Sequence, residues 1–404
     1  MQRRHLMQGV AAAGIAVQAQ AAAAQGAMPA PEGLEDQLRS HLAAGGVPAL
    51  AAAVVQAGRI VALGAIGTRR AGTDIPVARD DRWHIGSDTK AMTATIAATM
   101  VEAGLLTWET TIGQVFPDIV AVNAPLAQVQ LVQLLSHTSG LAPDDQAWLD
   151  MVIGAYGAGG DDVLNLDEMR LWLLRRYAPR PLAAAPGSRW AYANMNYVIA
   201  GSMMEHRARS TWEEMMVQRI FAPLGLTTAG LGPQARRGFV DAPLAHAENP
   251  DGTLKPILAG PNGDVPAVVG PAGAAHLSIL DFAAWAGWNA GEGRRGPALV
   301  KPETLKLLHT ARATIPPRPG AAPGTPDGGG SYCLGWGILG MPFSTEPFVT
   351  HTGSNTMNLA MVFLQPRLDF AMVMATNAGT KKADTMLRGV AEALYTQFGP
   401  AKRG

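Results

Sequence analysis

Near the start of this chain and over its last third, apolar residues run in nearly unbroken blocks: Pro48 to Gln56, Ile60 to Ile66, Leu334 to Leu339, Phe348 to His351, Asn358 to Gln365 and Phe370 to Thr376. Short runs of this kind, bounded by turn residues, predict buried strands. The first two are joined at Ala57-Gly58-Arg59 and predict a hairpin. Elsewhere apolar positions recur at helical spacing: Glu35 to Ala44, Ala91 to Gly104, Leu126 to Ser136, Asp167 to Tyr177, Tyr197 to Arg207, Trp212 to Phe221, Asp281 to Asn289, Pro302 to His309 and Ala383 to Phe398. Thr314 to Gly330, rich in Pro and Gly, reads as a mobile loop or insertion. Because strands come from both ends of the sequence, the simplest architecture is one sheet assembled from those ends with a helical lobe inserted between them.

Composition adds a large core and no charge bias. The 404 residues are 48% hydrophobic and 16% charged, and 32 Lys and Arg balance 32 Asp and Glu. Nothing here points to nucleic acid or an anionic membrane surface, so the expected partner is a small molecule. The single cysteine, Cys333, excludes an intramolecular disulfide and, lying in Tyr332-Cys333-Leu334, reads as a buried small hydrophobe. At the N-terminus, Arg3-Arg4 precede an apolar run from Gly9 to Val17 and small-residue stretches such as Ala19-Gln20-Ala21. That order predicts a secretory signal over residues 1–24, with the paired arginines resembling a twin-arginine leader. The run is shorter than the roughly 20 residues that span a bilayer, so no stable anchor is expected after cleavage. The expected destination is the periplasm or the exterior.

The most informative feature is Ser87-Asp88-Thr89-Lys90, at the start of a predicted helix. Residues three apart on a helix share a face, so the Lys90 amine can reach the Ser87 hydroxyl. A helix start also favours negative charge developing on that oxygen. Downstream, Tyr192-Ala193-Asn194 follows the turn Pro186-Gly187-Ser188, and two side chains two apart in extended chain project to similar sides. His351-Thr352-Gly353-Ser354 ends a predicted strand, where glycine lets a substrate approach the backbone closely. No GxSxG elbow, HExxH, Walker A or strand-linked GxGxxG sequence occurs, and the nine histidines lack ligand-like spacing. Neither a metal nor a cofactor is expected.

In order, Ser87-x-x-Lys90, Tyr192-Ala193-Asn194 and His351-Thr352-Gly353 resemble the three motifs of the serine β-lactamase-related superfamily, in the branch holding class C β-lactamases, DD-peptidases, D-aminopeptidases and β-lactamase-like esterases. Leu134 to Leu141, Gly335-Trp336-Gly337 and Ala375-Thr376-Asn377 resemble that branch as well. The resemblance implies an α/β (α+β) fold of the β-lactamase/transpeptidase type, a mainly antiparallel sheet flanked by helices. Its domain would occupy 29–404, with a sheet lobe from about 29–104 and 261–404 and a helical lobe over about 105–260. It also implies an acylated Ser87, a base role shared by Lys90 and Tyr192, substrate binding by Asn194, His351 and Gly353, and an oxyanion hole from the amides of Ser87 and Ser354.

The shared base has a definite cost. Moving a tyrosine from about 10 to 7 requires about 4 kcal/mol, and an ammonium about 4 Å away supplies a similar amount at an intermediate dielectric, before desolvation. The third motif departs from the Lys-Thr-Gly of typical β-lactamases. Histidine is mostly neutral at pH 7, which weakens attraction for the carboxylate of penicillins, cephalosporins and D-Ala-D-Ala peptides. Simple esters carry no such group. The expected activity is therefore a secreted serine hydrolase that cleaves small carboxylic esters through an acyl-enzyme. The alternatives are a β-lactamase or D-amino-acid peptidase or amidase, and an acylated binding or sensor protein without efficient turnover.

Overall fold

The computed structural model describes residues 30–158, 164–236, 238–258, 263–321 and 327–400. The predicted signal over residues 1–24 lies outside them. Helix α1 (Glu35–Gly45) leads into the hairpin β1 (Ala49–Gln56) and β2 (Arg59–Gly67). Ala57 and Gly58 both take positive φ, the backbone of a tight two-residue turn whose twist matches its strands. The sheet continues from β1 through strands of the C-terminal third: β3 (Ala313–Ile315), β4 (Gly330–Tyr332), β5 (Gly337–Leu339), β6 (Phe348–Ser354), β7 (Leu359–Gln365) and β8 (Phe370–Thr376). Across these eight strands the order is β2-β1-β8-β7-β6-β5-β4-β3, each neighbouring pair antiparallel. Both ends of the sequence thus build one mainly antiparallel sheet flanked by helices, as expected.

The apolar runs are unbroken because this sheet is covered on both faces. Alternate residues divide between two cores. Ala51, Ala53, Val362, Val373 and Ala375 face the larger one, with Phe282, Trp285 and Ala286 of helix α5 (Ile279–Gly291). Val54, Met361, Phe363, Met372 and Met374 face the other, with Met386, Leu387, Val390 and Leu394 of helix α6 (Lys381–Phe398). At about 25 cal/mol per Å² of apolar surface removed from water, burial on both faces is the main force holding the sheet together.

Helix α2 (Thr89–Glu102) carries the Ser-Lys motif into the interior. It shows no apolar stripe because most of its circumference is buried, and its threonines bond inward. Thr89 Oγ1 donates to the Gly86 carbonyl at 2.6 Å, Thr93 Oγ1 to that of Pro271 at 2.8 Å and Thr95 Oγ1 to that of Ala91 at 2.9 Å. Helix α3 (Leu166–Tyr177) packs on helix α4 (Asn194–Ala208), which in turn packs against α2.

Several local expectations are corrected. Leu126 to Ser136 is two short helices, Ala124–Ala127 and Leu131–Leu135, each with its own N-terminal cap. Trp212 to Phe221 changes from α-helix to a π turn at Val217. Leu334 to Leu339 yields strand only from Gly337, because Gly335 takes φ 78° and turns the chain. The Pro/Gly-rich stretch supplies Thr314 and Ile315 of edge strand β3 and the first residue of β4, and the two strands pair with each other. Residues 322–326 of it lie outside the described ones. No described helix is long and apolar enough to cross a membrane.

Candidate active site

Ser87 sits in a single 3₁₀ turn, Gly86–Asp88, that feeds directly into α2. Gly86 is required twice over: its φ is 51°, and a Cβ there would lie 2.4 Å from the Ser354 amide nitrogen. The nucleophile turn and the end of β6 are therefore in backbone contact. Gly353 packs in the same way, since a Cβ would stand 1.8 Å from the Ile85 carbonyl oxygen and 2.8 Å from the Asp88 amide. The two predicted oxyanion donors, the amides of Ser87 and Ser354, are neighbours in space.

Lys90 reaches back along its helix to put Nζ 3.1 Å from Ser87 Oγ. Nζ also donates to Asn194 Oδ1 at 2.7 Å and to the Ala272 carbonyl at 2.6 Å. Tyr192 donates its hydroxyl to Ser87 Oγ at 2.8 Å, and the Lys90 amine lies 4.8 Å from the centre of its ring. Asn194 opens α4 and in turn donates through Nδ2 to Asp144 Oδ2 at 2.6 Å. Ser87, Lys90, Tyr192 and Asn194 are thus joined in one cluster.

Electrostatics within the cluster act differently on Lys90 and Tyr192. Burial lowers the Lys90 ammonium to about 7, against the opposing pull of Asp144 and Asp88. Burial also raises Tyr192 well above its ordinary value; its bond to Ser87 offsets part of this and the charges of Asp144 and Asp88 add to it. Burial and the two carboxylates thus favour the neutral phenol of Tyr192 near pH 7. When Lys90 is neutral, its two shorter contacts use both N–H groups. The lone pair is left for the Ser87 hydroxyl.

His351 is buried, with Nε2 3.1 Å from the Tyr332 hydroxyl and Nδ1 3.0 Å from the Thr352 carbonyl. Burial and the nearby Lys90 charge lower it to about 3, so it is neutral at physiological pH. Asp88 lies 3.6 Å from His351 Nδ1 and has no hydrogen bond to either carboxyl oxygen; burial raises it well above the usual carboxylate range.

The supporting motifs hold this geometry. His137 takes φ 58°, stacks 4.4 Å from the Tyr192 ring and contacts Tyr197, Tyr332 and Trp190. Gly335 lets its loop approach Lys90, where a Cβ would lie 2.7 Å from the Lys90 carbonyl oxygen. Thr376 and Asn377 bond to the Ala49 carbonyl and amide and fasten the start of β1. Cys333 is buried, as expected.

Sequence reasoning missed His84, Asp264 and Asn355. The Gly86 amide donates to His84 Nδ1 at 3.0 Å, and His84 Nε2 is 2.7 Å from Asp264 Oδ1. Asn355 Nδ2 donates to the same Asp264 oxygen at 3.1 Å. One buried carboxylate therefore ties the turn carrying Ser87 to the residue after Ser354. These three come from separate segments, and no spacing in the sequence announces them.

A fold of this kind, with a buried serine–lysine–tyrosine cluster beside a strand edge, defines a serine hydrolase of the β-lactamase and penicillin-binding-protein type. The Beta-lactamase family model matches residues 34–395, and the chain belongs to that family. It is similar to "Penicillin-binding protein 4" of Amycolatopsis lactamdurans, 27% identical over 82% of this chain and 81% of that one. It is also similar to "Monacolin J acid methylbutanoyltransferase" of Aspergillus terreus, 29% identical over 45% of this chain and 46% of that one. The D-amino acid amidase of Ochrobactrum anthropi SV3 shares the fold, with a TM-score of 0.69, 20% identity and coverage of 90% and 98%. The protein is accordingly an enzyme of the serine-hydrolase superfamily that acts through an acyl-enzyme.

Proposed function

We propose that this enzyme is an esterase for small, uncharged carboxylic esters, with Ser87 as nucleophile, Lys90 as base and Tyr192 as proton donor to the leaving alcohol. Ser87 Oγ attacks the ester carbonyl while its proton passes to the neutral Lys90 amine. The carbonyl oxygen becomes an oxyanion facing the amides of Ser87 and Ser354, each contributing about 3 kcal/mol. Collapse breaks the bond to the alcohol oxygen, which takes a proton from Tyr192, and the proton held by Lys90 restores the tyrosine. Water then attacks the acyl-enzyme by the same route and releases the acid. Asn194 orients the Lys90 amine, and Asp144 orients Asn194.

The observation that carries the ester preference is His351, buried and neutral at the strand position that meets a substrate carboxylate in Lys-Thr-Gly enzymes. The second reading is cleavage of β-lactams or D-amino-acid amides, and the likeness to a penicillin-binding protein over most of both chains favours it. Purified protein assayed with p-nitrophenyl butyrate, nitrocefin and D-amino-acid p-nitroanilides separates the two. The ester should give the highest kcat/KM; efficient nitrocefin hydrolysis with negligible ester cleavage would overturn the preference. Acylation without turnover would instead mark a sensor. The Arg3-Arg4 leader pattern supports a periplasmic or secreted site of action.

A further inference from the structure

A groove of about 730 Å³ opens beside the catalytic cluster and takes no part in the steps above. One wall is the loop carrying Arg189 and Trp190, pinned by the Gly187 amide to the Thr138 carbonyl at 2.7 Å and by the Ala191 amide to that of His137 at 2.9 Å. The other wall is the sheet edge with Arg312, Thr314 and Ser331, where the Arg312 amide bonds to the Tyr332 carbonyl at 2.8 Å. Both walls are fixed by backbone bonds, so the groove is formed before any ligand arrives.

Its charge is one-sided. Arg189 and Arg312 both line it, and no acidic side chain does among the described residues. Arg189 makes one long side-chain bond, to the Ala183 carbonyl at 3.3 Å. The Arg312 guanidinium has no hydrogen-bond or ion-pair partner among the described residues. Arg69 and Arg82, which line another concave surface, are by contrast paired with Asp81 and Asp241. Two unmatched guanidiniums in a concave site concentrate positive potential, and guanidinium recognises carboxylate and phosphate groups.

The groove also has a direction relative to the chemistry. Trp190, which lines the groove, has its ring centre 6.4 Å from that of Tyr192 and 6.0 Å from that of Tyr332, so the groove adjoins the Tyr192 side of the cluster. Tyr192 is the group that hands a proton to the departing alcohol. An alcohol that takes its proton from Tyr192 is the part of the ester released on the side that the groove adjoins.

We infer that the Arg189–Arg312 groove binds an anionic group carried at the far end of the alcohol portion of the substrate, making the preferred substrates esters that are uncharged at the scissile bond and anionic at a distance from it. This deepens the esterase reading and rests on it. The test compares butanoyl esters of ω-hydroxy carboxylic acids of increasing chain length with those of the matching uncharged ω-hydroxy amides, following butyrate release. At low ionic strength the longer anionic esters should show about five- to tenfold higher kcat/KM than their amide partners, the scale expected of two exposed charge contacts. The ratio should fall toward one in molar sodium chloride, a measurement that needs no variant. In Arg189→Glu/Arg312→Glu it should fall below one.

Ratios of one or less at every chain length, a preference insensitive to salt, or one that survives charge reversal would each overturn the inference while leaving the esterase reading intact. A preference for an anion on the acyl portion would overturn the assignment to the alcohol side. If neither ester series is cleaved and nitrocefin is, both the esterase reading and this inference fall.

Discussion

On the helical wall of the cleft, Ser87, Lys90, Tyr192 and Asn194 meet through side-chain contacts of 2.7 to 3.1 Å. The strand wall works differently: Gly353 and Ser354 act through backbone pressed against the nucleophile turn, and its one ionisable side chain, His351, is held neutral. Breaking a bond requires protons to move between atoms in contact, so the first wall tolerates little change. Choosing a substrate requires only a difference in charge or space, so the second can vary between enzymes that share the same chemistry. On the proposed reading, the wall with the dense side-chain network defines the reaction class, and the wall made mostly of backbone sets what is admitted.

The largest expected effect falls on the helical wall. Lys90→Ala and Tyr192→Phe should each lower kcat/KM by about 10²- to 10⁴-fold, the range for lost acid–base catalysis. The double variant should lose little more than the worse single one, because both groups serve one proton path; a product of the two losses would separate their roles. In the unmodified enzyme, kcat/KM for an uncharged ester should rise with pH around 7, because only the deprotonated Lys90 amine has a lone pair to offer and its protonated form predominates below that value. Decline through the same interval would contradict Lys90 as base.

A smaller loss should follow from disturbing the strand wall's backbone. In Gly353→Ala the new methyl meets the Ile85 carbonyl oxygen, so β6 must shift away from the nucleophile turn. A displacement near 1 Å costs about 10²-fold in rate, and the overpacking about 1–3 kcal/mol of stability. Wild-type kcat in this variant would mean that Ser354 does not hold the oxyanion. Smaller again is Asp264→Ala, which unties the two backbone segments without touching substrate. It should lower kcat about tenfold with little change in KM, in proportion to one or two lost buried hydrogen bonds; a change confined to KM would exclude a positioning role. The smallest effect is His351→Lys, which should improve carboxylate-bearing substrates relative to neutral esters by about fivefold. An unchanged ratio would show that selectivity lies elsewhere.

The helical wall was largely legible in the sequence because its residues sit at short, fixed spacings: three residues along a turn for Ser87 and Lys90, two for Tyr192 and Asn194. The buried strands were legible because both faces are covered, which leaves long apolar runs. The edge strand β3 and its short neighbour β4 were hidden, since three-residue strands make no apolar run and the connection between them is rich in Pro and Gly. The break within Leu126 to Ser136 was hidden as well, because two capped short helices can share one apolar spacing. Spacing reveals proximity but not desolvation, so how burial shifts the Lys90 amine and the Tyr192 phenol in opposite directions could not be read from it. The Asp264 tie depends on three distant segments meeting, and only the folded chain brings them together.

The assignment of Ser87 as nucleophile underlies every step above, and one covalent label tests it. Intact-mass spectrometry after treatment with a fluorophosphonate, followed by peptide mapping, should give a single adduct on the peptide containing Ser87. The adduct should be absent in Ser87→Ala. An adduct of the same stoichiometry persisting in that variant would contradict the assignment and, with it, the proposed mechanism.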